Sequence, residues 1–336
     1  MQEGKLFGMG SILVRGGQQL AGTVRVEGAK NSALKLMAAA LLAPGETVIH
    51  NVPDISDVAL MGEVLGVLGA SVTRDGHTVR VDAAEITSVE TPYELVARMR
   101  ASIVVLGPLV ARFGKARVAM PGGCNIGSRK IDMHLRGLEH LGANITFEHG
   151  FIDATAPEGL SGDTVILDFP SVGATENLLM AAVLARGTTV IENAAREPEI
   201  GDLVDLLVAM GAHVEGRGSS TLEIHGVEQL VPAEHATVGD RIEAGTFLVA
   251  GALTGGEVTV AGFDPAHLEM LITKMERAGC VFEHGADGVR VRRPGRITAV
   301  DIATLPYPGF PTDMQAQFMA LMALADGSCV ITENVF

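Results

Sequence analysis

The chain has 336 residues, 47% of them apolar and 19% charged, which excludes wholesale disorder and points to about two domains. A formal charge of -15, from 25 Lys and Arg against 40 Asp and Glu, excludes a general nucleic-acid or anionic-membrane surface but not a local anion pocket. With 41 glycines, no Trp and two Tyr, the core must be built from small and aliphatic side chains.

The N-terminal segment holds no long apolar run of the signal-peptide kind. The first helix is predicted over Ser32–Ala43, apolar around nearly its whole circumference and therefore buried on all sides. Gly45 stops it, a β-branched strand follows, and a second, amphipathic helix over Asp57–Leu68 ends at Leu68-Gly69-Ala70. Alternation over Val72–Val81 predicts strand. The same order then recurs. Further all-round apolar helices are predicted over Ala101–Phe113, Ala174–Ala185, Ala244–Leu253 and Met314–Ala325, with a second helix over Ile200–Met210 and a strand over Thr221–Ile224. The apolar run Ala101 to Ala111 is too short to span a bilayer, so a soluble, cytoplasmic protein without membrane insertion is expected.

Two marks keep the period. Glycines after the second helix stand at Gly69, Gly142, Gly211 and Gly279, and glycines opening a strand stand at Gly45, Gly114, Gly187, Gly256 and Gly327. Every step lies between 68 and 73 residues. Two marks in register define a repeating unit of about 70 residues. The strand after Gly327 runs to Phe336 with no second helix behind it, so the chain is expected to be a fragment.

The units also place the chemistry. Fourteen residues before each strand glycine stand Asn31, Arg100, Gly173, Ile242 and Asp313, at the predicted helix starts, with Lys30 and Arg241 one place earlier. Helix starts carry unpaired N–H groups that attract anions. Ordinary capping stays open for Asn31 and Asp313, and a solvated boundary for Lys30 and Arg100. Cys124 lies in Pro121-Gly-Gly-Cys-Asn-Ile-Gly127, just before Arg129 and Lys130. Nearby cations favour a thiolate, so a nucleophile or general acid stands against an inert small hydrophobe. Cys280 and Cys329 read as structural, and His134 as a packed core-edge residue. No zinc spacing, Walker A sequence or dinucleotide loop occurs, so neither metal nor cofactor is expected.

Seven motifs resemble one family in order and spacing. They are Gly28-Ala-Lys-Asn31, Met99-Arg-Ala-Ser102, the Pro121–Gly127 loop, Asp168–Thr175, Glu192–Glu199, Asp240–Thr246 and Phe310–Gln317. The family is the UDP-N-acetylglucosamine 1-carboxyvinyltransferases, enolpyruvyl transferases of the first committed step of peptidoglycan synthesis. The resemblance implies an inside-out α/β prism of two domains, each of three βαβαββ units. One domain is expected at Lys30–Val238. The other combines Met1–Ala29 with Gly239–Phe336 and lacks its sixth unit, so this chain is expected to be poorly active or inactive. The implied reaction moves the enolpyruvyl group of phosphoenolpyruvate to the 3′-hydroxyl of UDP-N-acetylglucosamine and releases phosphate.

By resemblance, Asp313 takes the hydroxyl proton and Cys124 delivers a proton to the methylene carbon, which also makes it the target of fosfomycin. Lys30, Arg100 and Arg129 neutralise phosphoenolpyruvate, and Asn31 orients the substrates. Ser171, Val172 and Gly173 offer N–H groups to the diphosphate, and Val335 joins the substrate-binding set. His134, Glu197 and Glu199 support the site, while Asp240 and Arg241 sit at the interdomain crossing. The alternatives are a non-catalytic sugar-nucleotide-binding fragment or scaffold and the sister enzyme acting on 3-phosphoshikimate. Oligomeric state is left open.

Overall fold

The computed structural model describes residues 13–96, 98–120, 131–285 and 287–336, with the backbone alone at Arg100 and Ala101. The chain runs through β1 (Ala21–Arg25), α1 (Lys30–Ala39), β2 (Glu46–His50), α2 (Ser56–Leu68), β3 (Ser71–Asp75) and β4 (Thr78–Asp82). The next unit holds β5 (Glu90–Thr91), α3 (Tyr93–Val96), α4 (Leu106–Phe113), β6 (Lys115–Ala119), α5 (Asp132–His140), β7 (Asn144–Glu148) and β8 (Phe151–Thr155). The third holds β9 (Thr164–Ile166), α6 (Val172–Ala182), β10 (Thr188–Glu192), α7 (Pro198–Ala209), β11 (His213–Glu215) and β12 (Thr221–His225). After β13 (Glu234–Ala236) come α8 (Arg241–Thr254), β14 (Glu257–Ala261), α9 (Glu269–Arg277), β15 (Val281–Gly285) and β16 (Gly288–Arg292). The described chain ends with β17 (Ile302–Ala303), α10 (Gln315–Met322) and β18 (Ile331–Thr332).

Four sheets share one topology. Their orders are β13-β2-β4-β3, β5-β6-β8-β7, β9-β10-β12-β11 and β1-β14-β16-β15. In each, the first strand runs parallel to the second and the rest alternate antiparallel. The strand after the third unit, β13, closes back on the sheet of the first, so three units form a ring around α1, α4 and α6. Their apolar faces merge into one core. A second core gathers α8, α9 and α10 under the β1 sheet, with β17 and β18 as a two-stranded pair.

The repeat marks work as backbone devices. Gly69, Gly142, Gly211 and Gly279 all sit in the left-handed region, with φ between 93° and 109°, where a Cβ would be strained. In the fourth unit the left-handed residue is Gly255 rather than Gly256; Gly256 instead lets Leu20 approach, since a Cβ there would lie 1.8 Å from the Leu20 oxygen.

Three local expectations need correction. The apolar run after Arg100 starts as a 3-10 helix, Arg100–Val105, and becomes α-helical only at Leu106. Pro108 cannot donate to the carbonyl a turn earlier, which confines it to the first turn of α4. The alternating segment over Val72–Val81 is a tight hairpin, turned at Gly76 with φ 55° after Asp75. Asn31 and Asp313 are not caps: the residues before their helices are Ala29 and Pro311.

Candidate active site where the two cores meet

The chain crosses between the cores twice. From β1 in the second core, residues 26–29 lead into α1 of the first; from β13 in the first core, residues 237–240 lead into α8 of the second. The connections run antiparallel and bridge at Gly28 and Gly239. The Ala29 N–H donates to the Val238 oxygen at 2.7 Å, and the Asp240 N–H to the Glu27 oxygen at 2.9 Å. A Cβ at Gly28 would lie 1.7 Å from the Asn51 oxygen, and one at Gly239 would lie 1.9 Å from the Gly262 oxygen. Only glycine permits this approach.

One carboxylate caps the helices leaving both crossings. Asp240 Oδ1 accepts the N–H groups of Ile242 and Glu243 at 2.8 and 3.0 Å, starting α8. Its Oδ2 accepts the Lys30 N–H at 3.1 Å, starting α1, whose own N-cap residue Ala29 offers no side chain for the purpose. Lys30 and Asn31 are thereby held beside Arg241. The Lys30 ammonium is half-exposed and pairs with Asp57 at 2.6 Å, an arrangement cheap to exchange for an anion.

Arg241 is buried against Glu199, with Nε donating to Oε1 at 3.0 Å and the other contact at 3.4 Å. Its guanidinium carbon stands 5.8 Å from the centre of the Tyr307 ring. Burial alone would lower the Arg241 pKa; Glu199, then Glu197 and Asp313, outweigh it and raise it. Asp313, exposed in the 3-10 helix Thr312–Met314, is thus an electrostatic neighbour of Arg241. Glu197 is pushed up by burial, while accepting the Tyr307 N–H at 3.4 Å.

Next to Asp313, Glu333 gathers four donors: the Thr304 hydroxyl at 2.6 Å, the Thr312 hydroxyl at 3.0 Å, and the Val335 and Phe336 N–H groups at 2.8 and 3.3 Å. Burial pushes its carboxyl up, but these hydrogen bonds prevail and hold it below its ordinary value. Val335 is in this way tied to Thr312 and so to Asp313.

The start of α6 is the second part. The Ser171 Oγ caps it by accepting the Ala174 N–H at 3.3 Å, and the Ser171 N–H already donates to Phe169 O at 2.6 Å. Of the three amides expected to face an anion, Val172 and Gly173 are the ones at the helix start, where the helix supplies no acceptor. Thr175 Oγ1 accepts the Ala195 N–H at 3.0 Å, joining this start to the segment that carries Glu197. His134 is buried beside Gly173, where a Cβ would come within 3.1 Å of its ring. Asn177 takes the Gly107 N–H on Oδ1 at 2.6 Å and gives Nδ2 to Ile103 O at 2.9 Å and His134 Nδ1 at 3.0 Å. With Nδ1 accepting, His134 carries its hydrogen on Nε2. The same Asn177 anchors the helix that Arg100 begins.

The structure therefore brings together Lys30, Asn31, Asp240, Arg241, Glu199 and Glu197, sets Asp313 within electrostatic reach of Arg241, and ties the start of α6 to the segment of Glu197 and Val335 to Thr312. Cys124 and Arg129 lie outside the described residues, as does the Arg100 side chain. Sequence reasoning missed Asn177 and Glu333, and also Ser32, Asp202 and His235, whose side-chain partners lie 21 to 170 residues away and leave no local pattern.

The fold, with its paired crossings, is that of the enolpyruvyl transferases. The family model of EPSP synthase (3-phosphoshikimate 1-carboxyvinyltransferase) matches residues 14–336. The enolpyruvyl transferase NikO from Streptomyces tendae superposes with a TM-score of 0.85 at 28% identity, over 95% of this chain and 76% of that one. EPSP synthase from Acinetobacter baumannii, at 18% identity over 94% of this chain and 74% of that one, shares the fold with a TM-score of 0.69. Two relatives named UDP-N-acetylglucosamine 1-carboxyvinyltransferase are closer in sequence. That of Desulfatibacillum aliphaticivorans is 54% identical over 98% of this chain and 79% of its own length, and that of Gluconobacter oxydans is 53% identical over 98% and 78%. The chain belongs to the UDP-N-acetylglucosamine 1-carboxyvinyltransferase family.

Proposed function

We propose that the chain transfers the enolpyruvyl group of phosphoenolpyruvate to the 3′-hydroxyl of UDP-N-acetylglucosamine, with release of phosphate, as a cytoplasmic step of peptidoglycan synthesis. The observation that carries the reading is the double cap by Asp240, which joins the start of α1, with Lys30 and Asn31, to the start of α8, with Arg241, whose charge Asp313 helps to balance. The relatives at 53–54% identity supply the substrates. Among the described residues, no helix is long and apolar enough to cross a membrane.

The chemistry is addition followed by elimination. Asp313 takes the proton of the sugar 3′-hydroxyl as its oxygen bonds to C2 of the donor, and Cys124 protonates C3, giving a tetrahedral ketal. Loss of a C3 proton and of phosphate from C2 restores the double bond in the product. Lys30, Arg100 and Arg129 balance the donor's charge, most strongly in a closed, water-poor site. Asn31 orients the reacting groups and Val335 lines the sugar side. Val172 and Gly173, with Ser171 as the cap, turn the start of α6 toward the diphosphate, and His134 packs beside them. The working division is residues 30–238 against 1–29 with 239–336. Glu197, Glu199, Asp240 and Arg241 hold the crossing between them.

Phosphate release tests the reading. We expect release that needs both phosphoenolpyruvate and UDP-N-acetylglucosamine, and none with 3-phosphoshikimate as acceptor. The half-covered α10 predicts slow turnover, so the assay is run at high protein concentration. Faster release with 3-phosphoshikimate, or no release with either acceptor, would overturn the proposal.

A further inference from the structure

A buried cluster under the crossings is left over once the site is assembled. Asp202, on α7, has a side chain only 6% exposed. Its Oδ2 accepts the Ser32 hydroxyl of α1 and the Val238 N–H of the crossing at 3.1 Å. Its Oδ1 faces His235 Nε2 of β13 at 2.7 Å. An ionised carboxylate only accepts, so Nε2 of His235 carries the hydrogen. Three donors from three elements meet one carboxylate that would be costly to bury alone.

Their positions in sequence give the cluster its reach. Ser32 is the next residue after Asn31 and lies within the same helical turn as Lys30. Val238 is two residues before Asp240, and its carbonyl takes the Ala29 N–H. Asp202 lies one turn along α7 from Glu199, the partner of Arg241. Helix α1 has no cap of its own, so the direction of its first turn is set by Asp240 from outside and by Ser32 from within.

We propose that Asp202, with Ser32 and His235, is a positioning group for enolpyruvyl transfer that fixes the first turn of α1, and hence Lys30 and Asn31, against the crossing that carries Asp240 and Arg241. The proposal rests on the site reading above. Asp202 touches no reacting atom; it acts by removing freedom from residues that do, and displacement of such groups by about 1 Å costs on the order of 10²-fold in rate.

The test compares Ser32→Ala, Ser32→Thr, Asp202→Asn and Lys30→Ala by phosphate release and by amide hydrogen exchange. Ser32→Ala and Asp202→Asn should lower kcat about 10- to 100-fold, with KM for UDP-N-acetylglucosamine changed less than about twofold, because the start of α6 is untouched. Exchange should quicken at residues 30–33 and 238–242 and stay unchanged at 178–183. Ser32→Thr, which keeps the hydroxyl, should restore both readouts. Equal quickening in all segments, or a Ser32→Ala protein with wild-type kcat and exchange, would overturn the proposal. Lys30→Ala with undiminished turnover would instead overturn the site reading. Should Asp202→Asn fail to fold, the Ala and Thr variants at Ser32 decide the matter alone.

Discussion

Helices α6 and α10 hold equivalent places in their units and have nearly the same apolar character, yet they end in different surroundings. In α6 every residue from Ala174 to Ala182 is buried, including Thr175, Glu176 and Asn177. In α10 only Phe318, Leu321 and Met322 are buried, and Met319 is 47% exposed. The first helix is enclosed by three units closed into a ring by β13; the second has one four-stranded sheet and one two-stranded pair around it among the described residues. An all-round apolar helix states a demand for neighbours, and the surrounding units decide how far it is met.

The contrast can be broken most sharply where the two cores join. Glu199→Gln takes from buried Arg241 the carboxylate it is hydrogen-bonded to, and a loss of about 3–5 kcal/mol is expected from chemical denaturation. The two cores should then unfold in separate transitions; one unchanged transition would show that the pair does not couple them. Next in size, Met180→Ala in α6 should cost about 2–5 kcal/mol, because Met180 is fully buried in a ring with little room to collapse. Met319→Ala in α10 should cost less than about 0.5 kcal/mol. Equal losses at the two methionines would erase the distinction.

A smaller effect reads the electrostatics of the closed core. Glu176 lies wholly buried 3.5 Å from Lys35, a contact without a hydrogen bond, and neither carboxylate oxygen has such a partner among the described residues. Burial, opposed in part by Lys35, raises its pKa from 4.5 to about 7. The folded state therefore holds this proton more tightly than the unfolded chain. Its contribution to stability is complete below pH 4.5 and is lost as pH rises through about 7. Glu176→Gln should flatten the decline in melting temperature over that window, and an unaltered pH profile would assign the decline to other groups.

The parts legible in sequence were those that repeat. Glycines that must be left-handed, such as Gly69 and Gly142, recur because each unit turns at the same place, so their period exposed the architecture. The helix starts are legible for the same reason, and the motifs of the resemblance contain Lys30, Asn31, Asp240, Arg241 and Asp313. What held those residues was not legible. Asp240 reaches back 210 residues to cap α1, and Ser32 meets Asp202 across 170 residues, through contacts that exist only after the chain has crossed between the cores. The hairpin at Gly76 did have a local signal, Asp75-Gly76, which the alternation on either side concealed.

The central claim is that one ligand is held by both cores at the crossings. Amide exchange with and without UDP-N-acetylglucosamine tests it most directly. The account predicts joint protection of residues 30–32 at the start of α1, 172–175 at the start of α6 and 312–314 around Asp313. Protection confined to a single core, or centred on the β15–β16 hairpin away from the crossings, would contradict it.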